Sequence, residues 1–144
     1  MTESIRQNLL DIIKSCDTVQ FCTMTLDSYP ETRTIINMAN KEKKDIKNMN
    51  LYFFTRISSN KSKQVQNNKN TSLYYFNPNT RRAITLFGES KILTDKKTKS
   101  SFWSDELKKF GYSSIDDESY CIIEFTPKAY KFFLNGTDEQ RGNV

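Results

Sequence analysis

Residues 51–76, LYFFTRISSNKSKQVQNNKNTSLYYF, decide the fold. Positions 51–55 are apolar or β-branched throughout, which predicts a short strand covered on both faces. A serine-rich turn and a short polar helix follow, with Ser58 or Ser59 supplying the N-cap hydroxyl. A second strand, rich in aromatics, runs to Phe76. The first helical turn carries Asn60, Lys61 and Lys63, although the helix macrodipole already places positive charge there. Two readings stay open from these residues alone. An anion sits on the turn, held by free backbone N–H groups, a serine hydroxyl and a lysine, or the helix is ordinarily capped and its lysines are solvated.

Working outward, residues 77–80 (NPNT) mark a turn, and 81–93 (RRAITLFGESKIL) form a long strand in which Gly88 marks a bulge or bend. Thr94-Asp95 starts a helix that reaches Trp103 or beyond, with Phe102, Trp103, Leu107 and Phe110 on its apolar side. Residues 111–119 are a polar loop. Two strand segments, 120–125 and 129–134, are separated by Thr126-Pro127-Lys128, and the polar tail over 135–144 is disordered unless a partner or ligand holds it. On the N-terminal side, Ile5, Leu9, Ile12, Ile13 and Cys16 recur at helical spacing. They predict an amphipathic helix over about 4–15, with Ser4 and Gln7 as a capping box. Residues 18–26 and 31–38 are strands joined by Asp27-Ser28-Tyr29-Pro30. Thr32, Thr34, Ile36 and Met38 lie on one side of the second, and Arg33, Ile35 and Asn37 on the other. Arg33 is then at the rim of the sheet or facing a ligand. The charged stretch 39–50 reads as a solvated hairpin loop or frayed turn.

Six or seven strands, two or three helices and no βαβ alternation predict one α+β domain over residues 1–144, mainly β, built as a small antiparallel barrel. The composition narrows the chemistry. The chain contains no histidine, which excludes a Ser-His-Asp triad, an HExxH zinc site and a histidine general base. Three cysteines without CxxC spacing, and no leader, predict a reduced cytoplasmic chain with inert thiols at Cys22 and Cys121. No apolar run approaches the roughly 20 residues of a membrane span. A net charge of +5 without a long basic run favours a small anionic ligand over nucleic acid, although basic and aromatic residues interleave over 74–82.

The order of these pieces resembles the pyridoxamine-phosphate-oxidase-like superfamily of FMN-binding split barrels, in particular its general-stress-protein branch. The resemblance spans about residues 5–135. It is carried by Tyr29-Pro30-x-x-Arg33-Thr34-Ile35-Ile36, Leu51-Tyr52-Phe53-Phe54-Thr55, Ser59-Asn60-Lys61-Ser62-Lys63-Gln64-Val65, Leu86-Phe87-Gly88-Glu89-Ser90, and Phe125-Thr126-Pro127-x-x-Tyr130-x-Phe132-Phe133. It implies an FMN cofactor lying along the strand that holds Arg33, Thr34, Ile35, Ile36 and Asn37. The FMN phosphate would sit on the turn after Phe54 and Thr55, at Ser59, Asn60 and Lys61. It also implies a homodimer with FMN at the interface, in which Phe133 of the opposing subunit meets the flavin. The family's usual Ser-Arg-Lys is Ser59-Asn60-Lys61 here, leaving Arg56 or Lys63 to replace the missing cation. True pyridoxamine-phosphate oxidases carry a lysine where Met38 stands, and a tyrosine and an arginine about where Ser101 and Asp105 stand. These departures point away from oxidation of a B6 vitamer. The resemblance implies a flavoprotein passing electrons between NAD(P)H and another acceptor or, alternatively, a flavin-binding stress or sensor protein without turnover.

Overall fold

A computed structural model describes residues 1–39, 49–133 and 138–144. Most of the charged stretch expected as a loop over 39–50 therefore lies outside the described residues. The first element, α1 (Glu3–Ser15), turns Leu9, Leu10, Ile12 and Ile13 inward, as its spacing predicts. Its cap is Thr2 rather than Ser4. Thr2 Oγ1 accepts the Ile5 N–H at 3.2 Å, and Gln7, expected to complete a capping box, donates to Asp11 at 2.8 Å.

Seven strands form one antiparallel sheet: β1 (Thr18–Met24), β2 (Pro30–Ile36), β3 (Leu51–Arg56), β4 (Asn70–Asn77), β5 (Arg82–Leu93), β6 (Tyr120–Phe133) and β7 (Glu139–Asn143). The hydrogen-bonded path runs β2-β1-β4-β5-β6-β3, and β7 is added on β6. β6 is long enough to serve two partners along one edge. Its first half pairs with β3, Tyr120 opposite Arg56, and its second half with β7, Phe133 opposite Glu139. The path does not close, so β2 and β3 each keep one edge unpaired among the described residues.

Two sequence expectations give way here. The segments expected to be broken at Thr126-Pro127-Lys128 are one continuous strand. Pro127 stands opposite Gly88, where the β5–β6 register shifts, and a bulge is a place where a strand tolerates the missing N–H of proline. Gly88 is required there because a Cβ would run into the Thr126 carbonyl and the Phe125 ring. The tail expected to be disordered forms β7, which takes up the edge of β6 beyond the reach of β3.

The main core joins α1 to the inward faces of β1, β3, β4, β5 and β6. β3 is covered on both faces, as its composition predicts. Leu51, Phe53 and Thr55 point into this core and its margin, while Tyr52 and Phe54 pack against a second cluster of Leu107, Tyr112, Tyr120 and Ile122. That cluster is roofed by α3 (Lys96–Phe102), capped by Asp95, and by a 3₁₀ helix (Asp105–Phe110). The single helix expected from Thr94-Asp95 onward is thus two short ones, and Phe110 is exposed. Lys99 is buried beneath the roof, its Nζ donating to the Asp117 carbonyl at 3.1 Å and lying 5.3 Å over the Tyr120 ring. α2 (Asn60–Asn67) packs on β1 and β5. No helix among the described residues is long and apolar enough to cross a membrane.

One core group is not satisfied. Tyr75 is fully buried, and its hydroxyl has no hydrogen-bond partner among the described residues. Removing an unsatisfied buried polar group costs nothing in hydrogen bonding and relieves its desolvation. Tyr75→Phe is therefore expected to hold or raise stability, by up to about 1 kcal/mol, in urea unfolding. A loss of more than that amount would show that the hydroxyl has a partner.

Candidate functional site

The edge strands β2 and β3, each with one edge unpaired among the described residues, border a common cavity. The cavity, of about 290 Å³, is bounded by Thr34, Ile35 and Ile36 of β2 and by Phe54, Thr55 and Arg56 of β3. Ser59 and Lys61 close one end and Phe110 and Tyr112 the other side. A wider cavity of about 540 Å³ shares Ile36, Phe54 and Phe110 with it and continues beneath the roof helices, toward Met38, Phe102 and Trp103. The cleft therefore has a polar, cationic end and a broad aromatic end.

The polar end is built by the turn after β3. The hydroxyls of Thr55, Ser59 and Ser62 form a chain: Thr55 Oγ1 is 3.4 Å from Ser59 Oγ, which is 2.9 Å from Ser62 Oγ. Ser62 Oγ donates to the Arg56 carbonyl at 2.8 Å, so the Ser59 hydroxyl is the donor in its contact with Ser62. Ser59 also caps α2, accepting the Ser62 N–H at 3.2 Å. The first turn of α2 has no acidic residue. Lys61 is half-buried there and has no carboxylate partner among the described residues. Burial, then the neighbouring Arg33 guanidinium, pulls the Lys61 ammonium below its ordinary pKa. An anion bound at this turn would relieve both effects.

Of the residues expected to hold a cofactor, Thr34, Ile35, Ile36, Phe54, Thr55, Ser59 and Lys61 are brought together around the smaller cavity. Four are placed elsewhere. Arg33 points away from this wall: its Nη1 donates to Thr23 Oγ1 (2.6 Å) and the Phe21 carbonyl (3.3 Å). Its Nη2 donates to Glu31 Oε1 (2.9 Å) and Gln64 Oε1 (3.2 Å), so Arg33 ties β2 to α2 and acts on the cleft through its field. The Asn37 side chain is fully buried and donates at 2.7 Å to the carbonyls of both Ile13 and Cys16, closing the end of α1. Asn60 is exposed on the first turn of α2. Phe133 ends β6, with Lys131 Nζ 5.6 Å over its ring.

Of the two cations expected as replacements, both exposed, Arg56 lines the cavity and Lys63 does not. Arg56 donates to the Phe110 carbonyl (2.8 Å) and Ser119 Oγ (3.3 Å) and stacks 4.8 Å from the Tyr112 centroid. Gly111, at φ +92°, leaves room for it, since a Cβ there would lie 2.6 Å from Arg56 Nη2. Tyr112 and Glu106 were not legible as site residues. Tyr112 lies in the stretch read as a polar loop and Glu106 in the helix expected from Thr94-Asp95, both far from residues 51–61, and the β3–β6 pairing draws that region to the cleft. Cys121 is buried beside the turn, its Sγ 3.5 Å from the Thr55 carbonyl, and burial pushes its thiol up, as expected of an inert cysteine. Cys22 is only half-buried, on the outer face of β1.

The fold has known counterparts. The family model described as "Pyridoxamine 5'-phosphate oxidase like" matches residues 5–138. Among solved structures, the chain is similar to a Clostridium acetobutylicum protein related to general stress protein 26 of the pyridoxinephosphate oxidase family. The TM-score is 0.83 at 19% identity, over 100% of this chain and 97% of that one. It is similar to a pyridoxamine 5'-phosphate oxidase-related, FMN-binding protein of Nostoc punctiforme, with a TM-score of 0.70 at 16% identity over 96% and 87% of the two chains. It is also similar to a haem-binding protein of Mycobacterium smegmatis, with a TM-score of 0.74 at 9% identity over 99% of this chain and 59% of that one. At these identities the likeness is one of fold. A search of curated proteins returns no match.

Proposed function

The chain belongs to the pyridoxamine 5'-phosphate oxidase-like family, and from that premise we propose that it is an FMN-binding flavoprotein acting as an oxidoreductase. The observation that carries the reading is Lys61: a half-buried cation without a carboxylate partner among the described residues, at a helix N-terminus that opens into a two-edged cleft. A phosphate dianion supplies the charge missing from that turn. Ser59, Lys61, Arg56 and the first backbone N–H groups of α2 are the groups that would hold it.

The remainder of the cleft fits the rest of the cofactor. Alternate N–H and C=O groups along the edge of β2 that is unpaired among the described residues would meet a polar ring edge at Thr34–Ile36. Phe54 and Ile36 offer apolar surface to the ring itself. When bound, FMN supplies redox chemistry that no side chain of a histidine-free chain offers. Nicotinamide dinucleotide is the proposed reductant, and turnover separates this reading from a flavin-binding sensor. Haem is less well served. The chain has no histidine to ligate its iron.

The proposed assembly is a homodimer with FMN at its interface. The register sets Thr34 beside Gln20, Gln20 beside Tyr74, Tyr74 beside Thr85 and Thr85 beside Lys131, all on one side of the sheet. That side exposes Tyr74 (43%), Phe76 (45%) and Phe87 (41%) and carries Phe133, so an aromatic face runs continuously from the cleft strand. A second copy covering this face buries it and brings a partner's aromatics toward the cleft.

Purified protein is expected to take up FMN, with flavin bands in its visible spectrum and no haem band. Lys61→Ala should weaken FMN about 10- to 100-fold, or about 1.5–3 kcal/mol, and leave riboflavin unchanged. Equal losses for both ligands would remove the phosphate role. Because the Lys61 pKa is lowered, raising the pH deprotonates it before an ordinary lysine. The preference for FMN over riboflavin should therefore decline as pH rises through that lowered value, and a preference that grows with pH would contradict the account. Light scattering should give twice the chain mass for the native protein and the monomer mass for Tyr74→Glu combined with Phe87→Glu. A monomeric native protein would refute the dimer.

A further inference from the structure

The wider cavity is more than the anion turn and the ring wall require. Its walls are aromatic and braced. Phe102 stacks on Tyr52 at 4.7 Å, Trp103 meets Tyr120 edge-on at 5.4 Å, and Phe110 lies 5.2 Å from Phe54. Ser101 and Ser104 also line it, Ser101 Oγ donating to the Thr98 carbonyl at 2.9 Å. Among the described residues, one charged side chain lines it, and that charge is negative: Glu106, exposed on the 3₁₀ helix. Among the described residues, three nearby cations are engaged elsewhere. Lys108 faces Asp105 at 3.7 Å, Lys99 donates to the Asp117 carbonyl, and Arg56 belongs to the smaller cavity and donates to the Phe110 carbonyl.

We infer that this cavity is the binding site for a second reactant of a particular class: a flat aromatic ring without negative charge, held between Trp103, Phe54 and Phe110 and selected by Glu106. Flat braced walls favour a planar ring through offset or edge-on contacts. A carboxylate at the mouth repels a carboxylate or phosphate and attracts an ammonium, an effect of about tenfold even when partly screened. The two adjoining cavities then divide their ligands by charge, the anion at the α2 turn and the uncharged or cationic ring under the roof helices. The inference rests on the flavin reading only for what happens to the ring once bound, because occupancy of the cavity does not need the cofactor.

Trp103 is the chain's only tryptophan, so its fluorescence reports on this cavity directly. The probes are 4-nitrobenzyl alcohol, 4-nitrobenzylamine and 4-nitrobenzoate, nearly equal in shape and differing in charge. They are titrated into the protein with and without FMN, against free tryptophan amide to correct for absorption. The alcohol and the amine should quench saturably in both forms, and the benzoate should bind at least tenfold more weakly. Glu106→Gln should bring the benzoate to within about threefold of the alcohol, remove any preference for the amine and leave the alcohol unchanged. Circular dichroism checks that the exposed substitution leaves the fold intact. Benzoate binding as tightly as the alcohol, discrimination that survives Glu106→Gln, or quenching that never saturates would each overturn the inference. So would FMN displacing all three probes, since the cavity would then be the cofactor's own. Failure of the flavin reading looks different: no FMN is taken up, while the order of the three probes on the free protein is kept.

Discussion

An unclosed sheet is the constraint on which this structure depends. β2 and β3 end one hydrogen-bonded path and border one cavity without pairing among the described residues. Among those residues, each therefore carries a row of backbone donors and acceptors open to water or a ligand. Sealing the seam would satisfy those groups and remove the cleft. The fold instead keeps it open by giving β3 to β6, where Thr55 lies opposite Cys121 and Arg56 opposite Tyr120. The same pairing carries the roof helices and their aromatic cluster to the far side of the opening.

Charge is distributed along the seam with a purpose that packing does not explain. α2 carries Lys61 in its first turn where a stable isolated helix would place a carboxylate, and Lys61 is both desolvated and near Arg33. Arg33 cannot swing away, because β1, Glu31 and Gln64 hold it by four contacts. The positive end is thus fixed by the framework, while the opposite end carries the Glu106 carboxylate. In the proposed function, a cleft polarised in this way orders FMN with its phosphate toward α2 and its ring against β2 and Phe54, and leaves the Trp103 end to a second ring.

Much of this was legible in the sequence because it is local. The order of strands, the Ser59 cap and the surplus charge at Lys61 all follow from residues within one turn of each other. What escaped depends on distant pairing. Pro127 reads as a strand breaker until Gly88 is seen opposite it at a register shift. Glu139–Asn143 has no apolar alternation and becomes a strand because β6 outruns β3. Asn37 lies on the strand expected along the flavin, yet its amide side chain closes the end of α1, since a polar group so deeply buried must find acceptors. Tyr112 and Glu106 sit in polar stretches that carry no local mark of a site, and Arg56 reaches the cleft because Gly111 gives it room.

The central claim is that the α2 turn holds a phosphate dianion. The ³¹P resonance of FMN, followed through a pH titration with the protein in excess, tests it most directly. A free phosphomonoester gains its second proton at about pH 6. The account predicts a shifted, broadened resonance that stays dianionic well below that pH, because Lys61 and the turn N–H groups stabilise the charged form. A phosphate that titrates as it does in free FMN, while the flavin absorbance shows the ring bound, would contradict it.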